Sequence, residues 1–194
     1  MNTAKWVIGV AVLVMVATSF LAGPVRWRPF QTEWEALNEK ANELYLFGNF
    51  DRALKVAKQS LEVAGNLRGP SHPDVAVSLN KVAACYATLG QPAEAEPLLV
   101  RSLAIYENIP EPDPVEMGKC LHNLATVLSQ LKKYGEAEPV FMRALALRER
   151  VLGKDDLDVA TTLANLSLLY QKTGRIDEAE AIEARMREIW AIKR

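Results

Sequence analysis

Apolar and small residues recur along most of this chain at a spacing of 42 residues. The segment that begins at Ser78 reads SLNKVAACYATLGQPAEAEPLLVRSLAIYE, and the segment that begins at Cys120 reads CLHNLATVLSQLKKYGEAEPVFMRALALRE. The same offset reaches related segments that begin at Ala36 and at Thr162. Self-similarity at a fixed period of this kind is typical of arrays of stacked helical units. The chain therefore contains four copies of one unit.

Each copy predicts two helices that pack closely against each other. A large apolar residue early in the copy is followed four residues later by a small one, so the two share one face of a helix. Another small residue in the second half of the copy lets a second helix approach the first. The aligned sets are Leu37, Leu79, Leu121 and Leu163, then Ala41, Ala83, Ala125 and Ser167, then Ala53, Ala95, Ala137 and Ala179.

Glycine separates the two predicted helices in three of the four copies, at Gly48, Gly90 and Gly174. A helix commonly ends at a residue with left-handed backbone angles, and glycine adopts these angles without steric cost. Lys132 stands at the matching position of the third copy. We therefore expect a strained or differently built turn at Lys132.

Prolines and acidic residues mark the predicted helix starts. Asp113, Pro114 and Glu116 resemble an N-cap, a first helical residue and the acidic partner of a capping box. Pro97 and Pro139 are predicted in about the first turn of their helices, where backbone N–H groups have no intrahelical partner. These prolines are therefore compatible with continuous helices.

Three segments carry a resemblance to a known family: HPDVAVSLNKVAACY, GEAEPVFMRALALRERVLG and LDVATTLANLSLLYQKTGRIDEAE. They resemble 42-residue tetratricopeptide repeats of the kinesin light chain type. The resemblance implies an all-α solenoid of four helix-turn-helix repeats over residues 30–194, at about 32–65, 74–107, 115–150 and 158–193. It also implies that the first helices of the repeats line a concave groove that binds protein partners.

The last predicted helix departs from the pattern at Glu183, where the other copies have apolar residues. We expect Glu183 and Arg187 to give this helix a polar face, because no further repeat covers it. The opposite face is predicted to be apolar through Ile182, Met186, Ile189 and Trp190.

The groove positions implied by the resemblance carry mostly polar side chains. They are Asn38, Asn42, Tyr45, Asn80, Lys81, His122, Asn123, Thr126, Gln130 and Asn165. Asparagine offers both a donor and an acceptor, so a row of asparagines can pair with the backbone of an extended peptide. The alternative is that these asparagines only keep an exposed face soluble. Family members that grip peptide C-termini have several Lys and Arg residues here, so one such lysine does not predict a C-terminal carboxylate ligand.

An uncharged segment at 6–23, WVIGVAVLVMVATSFLAG, is near the lower length limit for a membrane-spanning helix. Trp6 and Trp27 flank it at a distance that suits the two membrane interfaces. We expect one transmembrane helix within residues 1–29 that anchors the chain in a bacterial-type inner membrane. The alternative is a signal peptide cleaved near Ser19, which would release an exported soluble protein.

The orientation signals around this segment conflict, because Lys5 precedes it while Arg26 and Arg28 follow it. A short tail with one lysine ahead of an apolar segment is similar to an export signal. We therefore expect the repeats on the periplasmic side.

The charge of the chain is nearly balanced, with 23 Lys and Arg residues against 24 Asp and Glu residues. Every acidic residue lies at Glu33 or later, so the repeat region is slightly acidic. A nucleic-acid-binding surface requires clustered basic residues. We therefore expect no nucleic-acid partner.

Residues suited to catalysis are few, with two histidines, two cysteines and no glycine-rich phosphate loop. Cys120 and His122 are two residues apart on a helix and point in different directions. Cys85 and Cys120 are expected to be small core residues, although a disulfide between them stays open. His72 is expected in the turn that begins a helix. We expect no catalytic residue, metal site or cofactor.

The sequence therefore predicts a non-catalytic scaffold, anchored in a membrane, that binds a partner protein or an extended peptide in its groove. One alternative is a structural subunit of a membrane protein complex, in which the apolar N-terminal segment packs against other transmembrane helices. The other alternative is an exported soluble adaptor.

Overall fold

The computed structural model of the chain describes residues 32–192 as eight helices without any strand. The helices are α1 (Glu33–Leu46), α2 (Phe50–Arg68), α3 (Pro73–Thr88), α4 (Pro92–Asn108), α5 (Pro114–Gln130), α6 (Tyr134–Leu152), α7 (Leu157–Lys172) and α8 (Ile176–Ile192). Each helix packs against the next one in the chain, so four helical hairpins stack in order. The predicted all-α solenoid of four hairpins is confirmed for these residues.

The aligned apolar and small residues form the core of the stack. Leu79, Leu121 and Leu163 are at most 2% exposed, and burial of each leucine contributes on the order of 2–5 kcal/mol relative to alanine. The alanines in the first turn of the second helices are at most 1% exposed, and their small size allows each second helix to approach the first helix closely. They are Ala53, Ala95, Ala137 and Ala179. Leu37 is only half-buried, because α1 packs against α2 and α3 alone in the described part of the chain.

All four hairpins use a left-handed residue between their helices. The backbone angle φ is 75° at Gly48 and at Gly90 and 78° at Gly174. Lys132 adopts the same conformation with φ of 62°. The turn at Lys132 also has the same pattern of backbone hydrogen bonds as the turn at Gly90. The third turn is therefore built like the others and is strained at Lys132.

The predicted helix starts are confirmed, with one part of the capping box missing. Asp113 Oδ1 accepts hydrogen bonds from the N–H groups of Val115 at 2.8 Å and Glu116 at 3.4 Å. Glu116 does not return a bond to Asp113, because its Oε1 accepts from Lys119 Nζ at 2.7 Å. His72 lies in the turn before α3 as expected, and its Nδ1 caps the helix by accepting from the N–H of Asp74 at 3.2 Å.

The predicted location of Pro97 and Pro139 within about the first helical turn is wrong. The helix α4 begins at Pro92 and α6 begins at Tyr134, so each proline is the sixth residue of its helix. At this depth an N–H would normally bond to the carbonyl four residues earlier. The two helices continue past the prolines with one backbone hydrogen bond fewer in each.

The last helix has the expected apolar face apart from Trp190, but the expectation that Glu183 lies on a polar face turned to water is wrong. Glu183 Oε1 accepts hydrogen bonds from Ser167 Oγ at 2.9 Å and from Gln171 Nε2 at 2.6 Å. Ile189 is 2% exposed and packs into the core. Trp190 does not join this apolar face, because it is 46% exposed. Glu183 therefore binds the preceding helix α7 through hydrogen bonds instead of apolar contact.

The expected membrane segment at 6–23 lies outside the described residues. Within residues 32–192, no helix combines the length and the apolar character that crossing a bilayer requires.

Candidate functional site

The first helices of the four hairpins lie on the inner side of the stack. The helix α3 approaches both α1 and α5 closely, and α5 also approaches α7. The second helices α2, α4, α6 and α8 make no such approach to one another within residues 32–192. Helices on the inside of a curved solenoid are closer together than those outside. The concave side is therefore formed by the first helices, as the resemblance implies.

Two adjoining cavities open on this concave side. The first cavity measures about 320 Å³ and extends from Asn42 on α1, across α3 and α5, to Asp158 on α7. The second cavity measures about 230 Å³ and extends along α5 to Gln130. Tyr45 and Asn123 line both cavities. Together the two cavities form one surface feature, which we call the groove.

Most residues that the sequence placed in the groove line these cavities. Asn42, Tyr45, Asn80, Lys81 and Asn123 line the first cavity. Tyr45, His122, Asn123, Thr126 and Gln130 line the second cavity. Asn38 and Asn165 belong to neither lining set. The structure thus brings eight of the ten residues together, and whether they bind a partner stays a prediction.

Several of the groove side chains bond across neighbouring first helices, either to one another or to Asn165 beside the groove. Asn123 Nδ2 donates to Asn80 Oδ1 at 2.9 Å, and the Tyr45 hydroxyl bonds to Thr88 Oγ1 at 2.8 Å. Asn165 Nδ2 donates to Thr126 Oγ1 at 3.3 Å. These amides are therefore not a row of free groups. They form a hydrogen-bonded ladder that holds the groove surface in one arrangement.

His122 lies at the base of the groove and is only 9% exposed. Its ring packs edge-on against Phe141 with ring centroids 6.0 Å apart, and Nε2 lies 3.3 Å from Asn165 Nδ2. Burial, and secondarily the charge of Arg148, lower the pKa of His122 to about 3. The ring is therefore neutral near pH 7. Because Asn165 Nδ2 is a donor, the hydrogen-bond network assigns the ring proton to Nδ1, which lies 3.4 Å from Thr162 Oγ1.

Arg148 reaches the first cavity from the second helix α6. It is 6% exposed, and its Nη1 donates to the carbonyl oxygen of Asp158 and to Thr162 Oγ1, both at 2.8 Å. Lys81 from α3 and Lys119 from α5 line the same cavity. Burial lowers the pKa of Lys81, and the positive charge of Lys119 contributes in the same direction. The first cavity thus has three basic side chains, and two of them are substantially removed from water.

Two stretches of the chain, residues 35–108 and 117–191, match the family model of the tetratricopeptide repeat. The chain belongs to the tetratricopeptide repeat family. A search of curated proteins found no match.

Solved structures with the same fold share 18–20% of their sequence with this tetratricopeptide repeat protein. A kinesin light chain-like protein of Podosopora anserina, with nearly identical TPR-like repeats, is 20% identical with a TM-score of 0.62. The match covers 93% of this chain and 84% of that one. At this level of identity the likeness shows the fold, in agreement with the predicted kinesin light chain-like repeats.

Two further structures match with higher TM-scores. The Rap protein solved in complex with Competence and Sporulation Factor has a TM-score of 0.71 and 18% identity, covering 84% of this chain and 44% of that one. Aspartyl phosphate phosphatase F from Bacillus subtilis has a TM-score of 0.67 and 18% identity, covering 82% and 41%. This chain thus spans less than half the length of these two proteins.

Sequence reasoning missed Lys119 and Arg148 as groove residues. Arg148 was overlooked because it lies on a second helix, and the resemblance places the groove on first helices. One signal could have revealed it: the matching positions of the other tetratricopeptide repeats are Ala64, Tyr106 and Trp190, which are apolar or aromatic. A single arginine in a core column indicates a role other than packing.

The two cysteines are buried free thiols, as the core interpretation predicts. Burial raises the pKa of Cys85 and of Cys120 to about 11, so both thiols stay protonated near pH 7. A protonated buried thiol is a poor nucleophile. Within residues 32–192, no group of His, Cys, Asp and Glu side chains is arranged to hold a metal ion.

Proposed function

We propose that this tetratricopeptide repeat protein is a non-catalytic scaffold that binds an extended segment of a partner protein in the groove. The observation that supports this proposal best is the adjoining pair of cavities on the concave side, about 320 and 230 Å³ in volume. They share Tyr45 and Asn123, so an extended chain of several residues can pass from one into the other.

The chemistry of the groove suits a peptide backbone. Asn42 and Gln130 are exposed near its two ends, and each amide offers a donor and an acceptor. Asn123 uses its Nδ2 in the ladder and retains its amide oxygen for a ligand. Ala84 and Ala87 are partly exposed and add apolar surface between these amides. Polar groups on a partly apolar, fixed surface are typical of sites that bind extended segments.

The fold comparison is compatible with this proposal. The Rap protein, which shares the helical repeat fold at a TM-score of 0.71, was solved as a complex with Competence and Sporulation Factor. The thiols and the histidine in and near the groove support binding over catalysis, because Cys85 and Cys120 stay protonated and His122 stays neutral near pH 7.

A photo-crosslinking experiment in the native membrane tests the proposal. Benzoylphenylalanine replaces Asn42 or Gln130, which are exposed in the groove, and in parallel Val100 or Lys55, which are exposed on second helices. We expect the two groove positions to crosslink to the same partner chain and the two outer positions to give no such product. Crosslinks to a partner from Val100 and Lys55 alone would place binding on the convex side and contradict the proposal.

We also propose that residues 6–23 anchor the protein in a bacterial-type inner membrane, with the repeats on the periplasmic side. The uncharged sequence of this segment supports an anchor. Alkaline extraction of membranes, combined with mass spectrometry of the N-terminal peptide, tests it. An intact Met1 region in the extracted membrane pellet is the expected result. A soluble chain that begins near Phe20 would instead show cleavage and an exported adaptor.

The alternative function is a structural subunit of a membrane protein complex. Crosslinking through the membrane segment, and not through the groove, would favour this alternative if it recovered a stoichiometric set of membrane proteins.

A further inference from the structure

The outer side of α8 corresponds to a side of α6 that binds the next hairpin. On α6, Glu138 Oε1 accepts a hydrogen bond from the hydroxyl of Tyr170, and Leu145 packs against Val159 of α7. The matching side of α8 has no helix on it within residues 32–192, where α8 packs against α7 alone. The residues at the matching positions of α8 are Ile176, Glu180, Glu183, Arg187 and Trp190. We call this surface the end face.

Large apolar side chains are exposed on and beside the end face. Ile176, Trp190 and Leu168 of the neighbouring helix α7 are each 46–50% exposed. Leu168 matches Thr126 of α5, which bonds to Asn165 of the following hairpin, so Leu168 lies toward the same open side. Terminal repeats of a solenoid require a polar outer side where water covers them. Exposed apolar residues at this end are instead typical of an interaction surface.

The end face also has two opposite charges with bonding capacity left over. Arg185 of α8 pairs with Glu149 Oε1 at 2.5 Å, but Arg187 has no such partner within residues 32–192. Glu183 is partly exposed, and only its Oε1 accepts from the side chains of α7 in the described part of the chain. The end face therefore offers one cation and one carboxylate oxygen to a ligand.

The spacing on the end face suits a second α8 that runs in the opposite direction. The five positions are separated by four, three, four and three residues, which is the alternation found along the contact line of paired helices. A twofold axis between Glu183 and Arg187 places Glu183 of each copy opposite Arg187 of the other copy. One rotation thus forms the same ion pair twice, with Trp190 of each copy beside it.

The N-terminal end of the stack does not offer a comparable surface. Val82 and Cys85 of α3 are buried against the first hairpin, and the matching positions of α1 are Lys40 and Glu43. Lys40 Nζ and Glu43 Oε2 form an exposed ion pair at 3.6 Å. Stacking the end face on this end would bury the ion pair against apolar side chains, which is unfavourable. The end face fits another end face better.

We propose that the end face binds the end face of a second copy of this chain, which forms a twofold dimer with antiparallel α8 helices. The helices α7 and α8 side by side cover roughly 25 by 20 Å, so each copy contributes on the order of 500 Å². The total of about 1,000 Å² is at the lower limit for a specific interface, so the dimer is reversible. This surface lies outside the groove, and a dimer would present two grooves to a partner.

Self-association of the full-length protein in detergent tests the proposal. Sedimentation velocity over a series of protein concentrations should show a reversible equilibrium between monomer and dimer. Trp190→Ala should weaken the dimer at least about tenfold, because exposed tryptophans often dominate the energy of an interface. Phe47→Ala is the matched control, since Phe47 is an exposed aromatic residue at the turn of the first hairpin. It should leave the dimerisation constant unchanged.

Charge reversals test the twofold arrangement. Arg187→Glu places two acids opposite each other at both contacts and should weaken the dimer at least about tenfold, and Glu183→Arg should do the same with two cations. A mixture of these two variants should dimerise like the wild type, because the mixed pair restores one cation and one acid at both contacts. Lys55→Glu reverses an exposed charge on α2 and should have no effect. Fluorescent labelling of one variant identifies the mixed dimer.

Thermal unfolding of each variant is measured in parallel. Glu183→Arg removes two hydrogen bonds to α7 and therefore also affects folding. Arg187 is exposed, so Arg187→Glu gives an interpretable result even where Glu183→Arg does not fold.

Three outcomes would overturn the dimer. The first is a protein that stays monomeric at every concentration. The second is a self-association that survives both Trp190→Ala and Arg187→Glu, which would place the contact elsewhere in the chain. The third is a mixture of folded Arg187→Glu and Glu183→Arg variants that stays monomeric, which would exclude the antiparallel pairing. Crosslinking from Asn42 and Gln130 reports separately on the groove.

Discussion

Asn123 Nδ2 donates a hydrogen bond to Asn80 Oδ1 over 2.9 Å, which joins α5 to α3 across the floor of the groove. Asn80 is only 6% exposed, so its amide oxygen depends on this donor instead of water. The bond fixes the orientation of both amides. As a result, the remaining oxygen of Asn123 is held in one position before any partner arrives, which lowers the entropy cost of binding.

Replacing Asn123 by alanine should lower the free energy of unfolding by about 1–3 kcal/mol, because the buried Asn80 oxygen loses its donor. Urea denaturation of the full-length protein measures this change. Asn42→Ala is the matched control, since Asn42 is exposed on the same side of the groove, and it should change the free energy by less than about 0.5 kcal/mol. Equal effects of the two substitutions would mean that the ladder does not stabilise the fold.

Lys132→Gly should raise the free energy of unfolding by about 1 kcal/mol, because glycine removes the steric cost of the left-handed angle. Lys132 has φ of 62°, and its side chain is exposed, so little contact is lost. The urea midpoint measures the effect. Gly90→Ala reverses the substitution at an equivalent turn with φ of 75° and should be destabilising. A lower urea midpoint for Lys132→Gly would show that the lysine turn is not strained.

Ala137→Trp should destabilise the third hairpin by about 3 kcal/mol or more, because Ala137 is fully buried where α6 packs closely against α5. Solenoid repeats contact only their neighbours, so the loss should spread to the adjacent hairpins first. Hydrogen exchange resolved by peptide is the measurement. Faster exchange in α5 and α6 than in α1 is the expected pattern, and unchanged thermal melting would contradict the assignment of Ala137 to the helix interface.

His122 should make the protein less stable in acid. Its pKa falls from 6.5 to about 3 on folding, so the unfolded chain binds more protons between these values. Stability attributed to this residue is therefore complete above pH 6.5 and decreases as the pH falls toward 3, by up to about 1.4 kcal/mol per pH unit. Denaturation at a series of pH values should show a smaller acid loss in His122→Gln than in the wild type.

The four-hairpin fold could be predicted from the sequence because its packing rule repeats. Leu79 and Ala83 recur as Leu121 and Ala125, and each pair packs at the same kind of contact between two helices. Repetition turns a weak local preference into a strong pattern. The turn at Lys132 followed from the same alignment, since the other turns establish which backbone conformation that position requires.

The bonding within the groove could not be predicted in the same way. The bond from Asn123 to Asn80 joins residues 43 positions apart, one more than the repeat, so aligned columns do not reveal it. Arg148 is the only arginine among the four matching positions of the repeats. Its side chain reaches the groove because Gly118 leaves space for it. Such features depend on side-chain directions in three dimensions, which a periodic pattern does not specify.

Arg148→Met tests how much the buried guanidinium contributes to the stability of the fold. Replacing a buried charged group by an apolar residue of similar size is often neutral or stabilising, because the cost of removing the charge from water disappears. Thr162 Oγ1 still donates to the Asp158 carbonyl at 2.8 Å, so neither acceptor of Arg148 is left without a partner. We therefore expect the free energy of unfolding to stay within about 1 kcal/mol of the wild type or to rise. Urea denaturation measures the change, and a loss of about 3 kcal/mol or more would show instead that the buried guanidinium stabilises the fold.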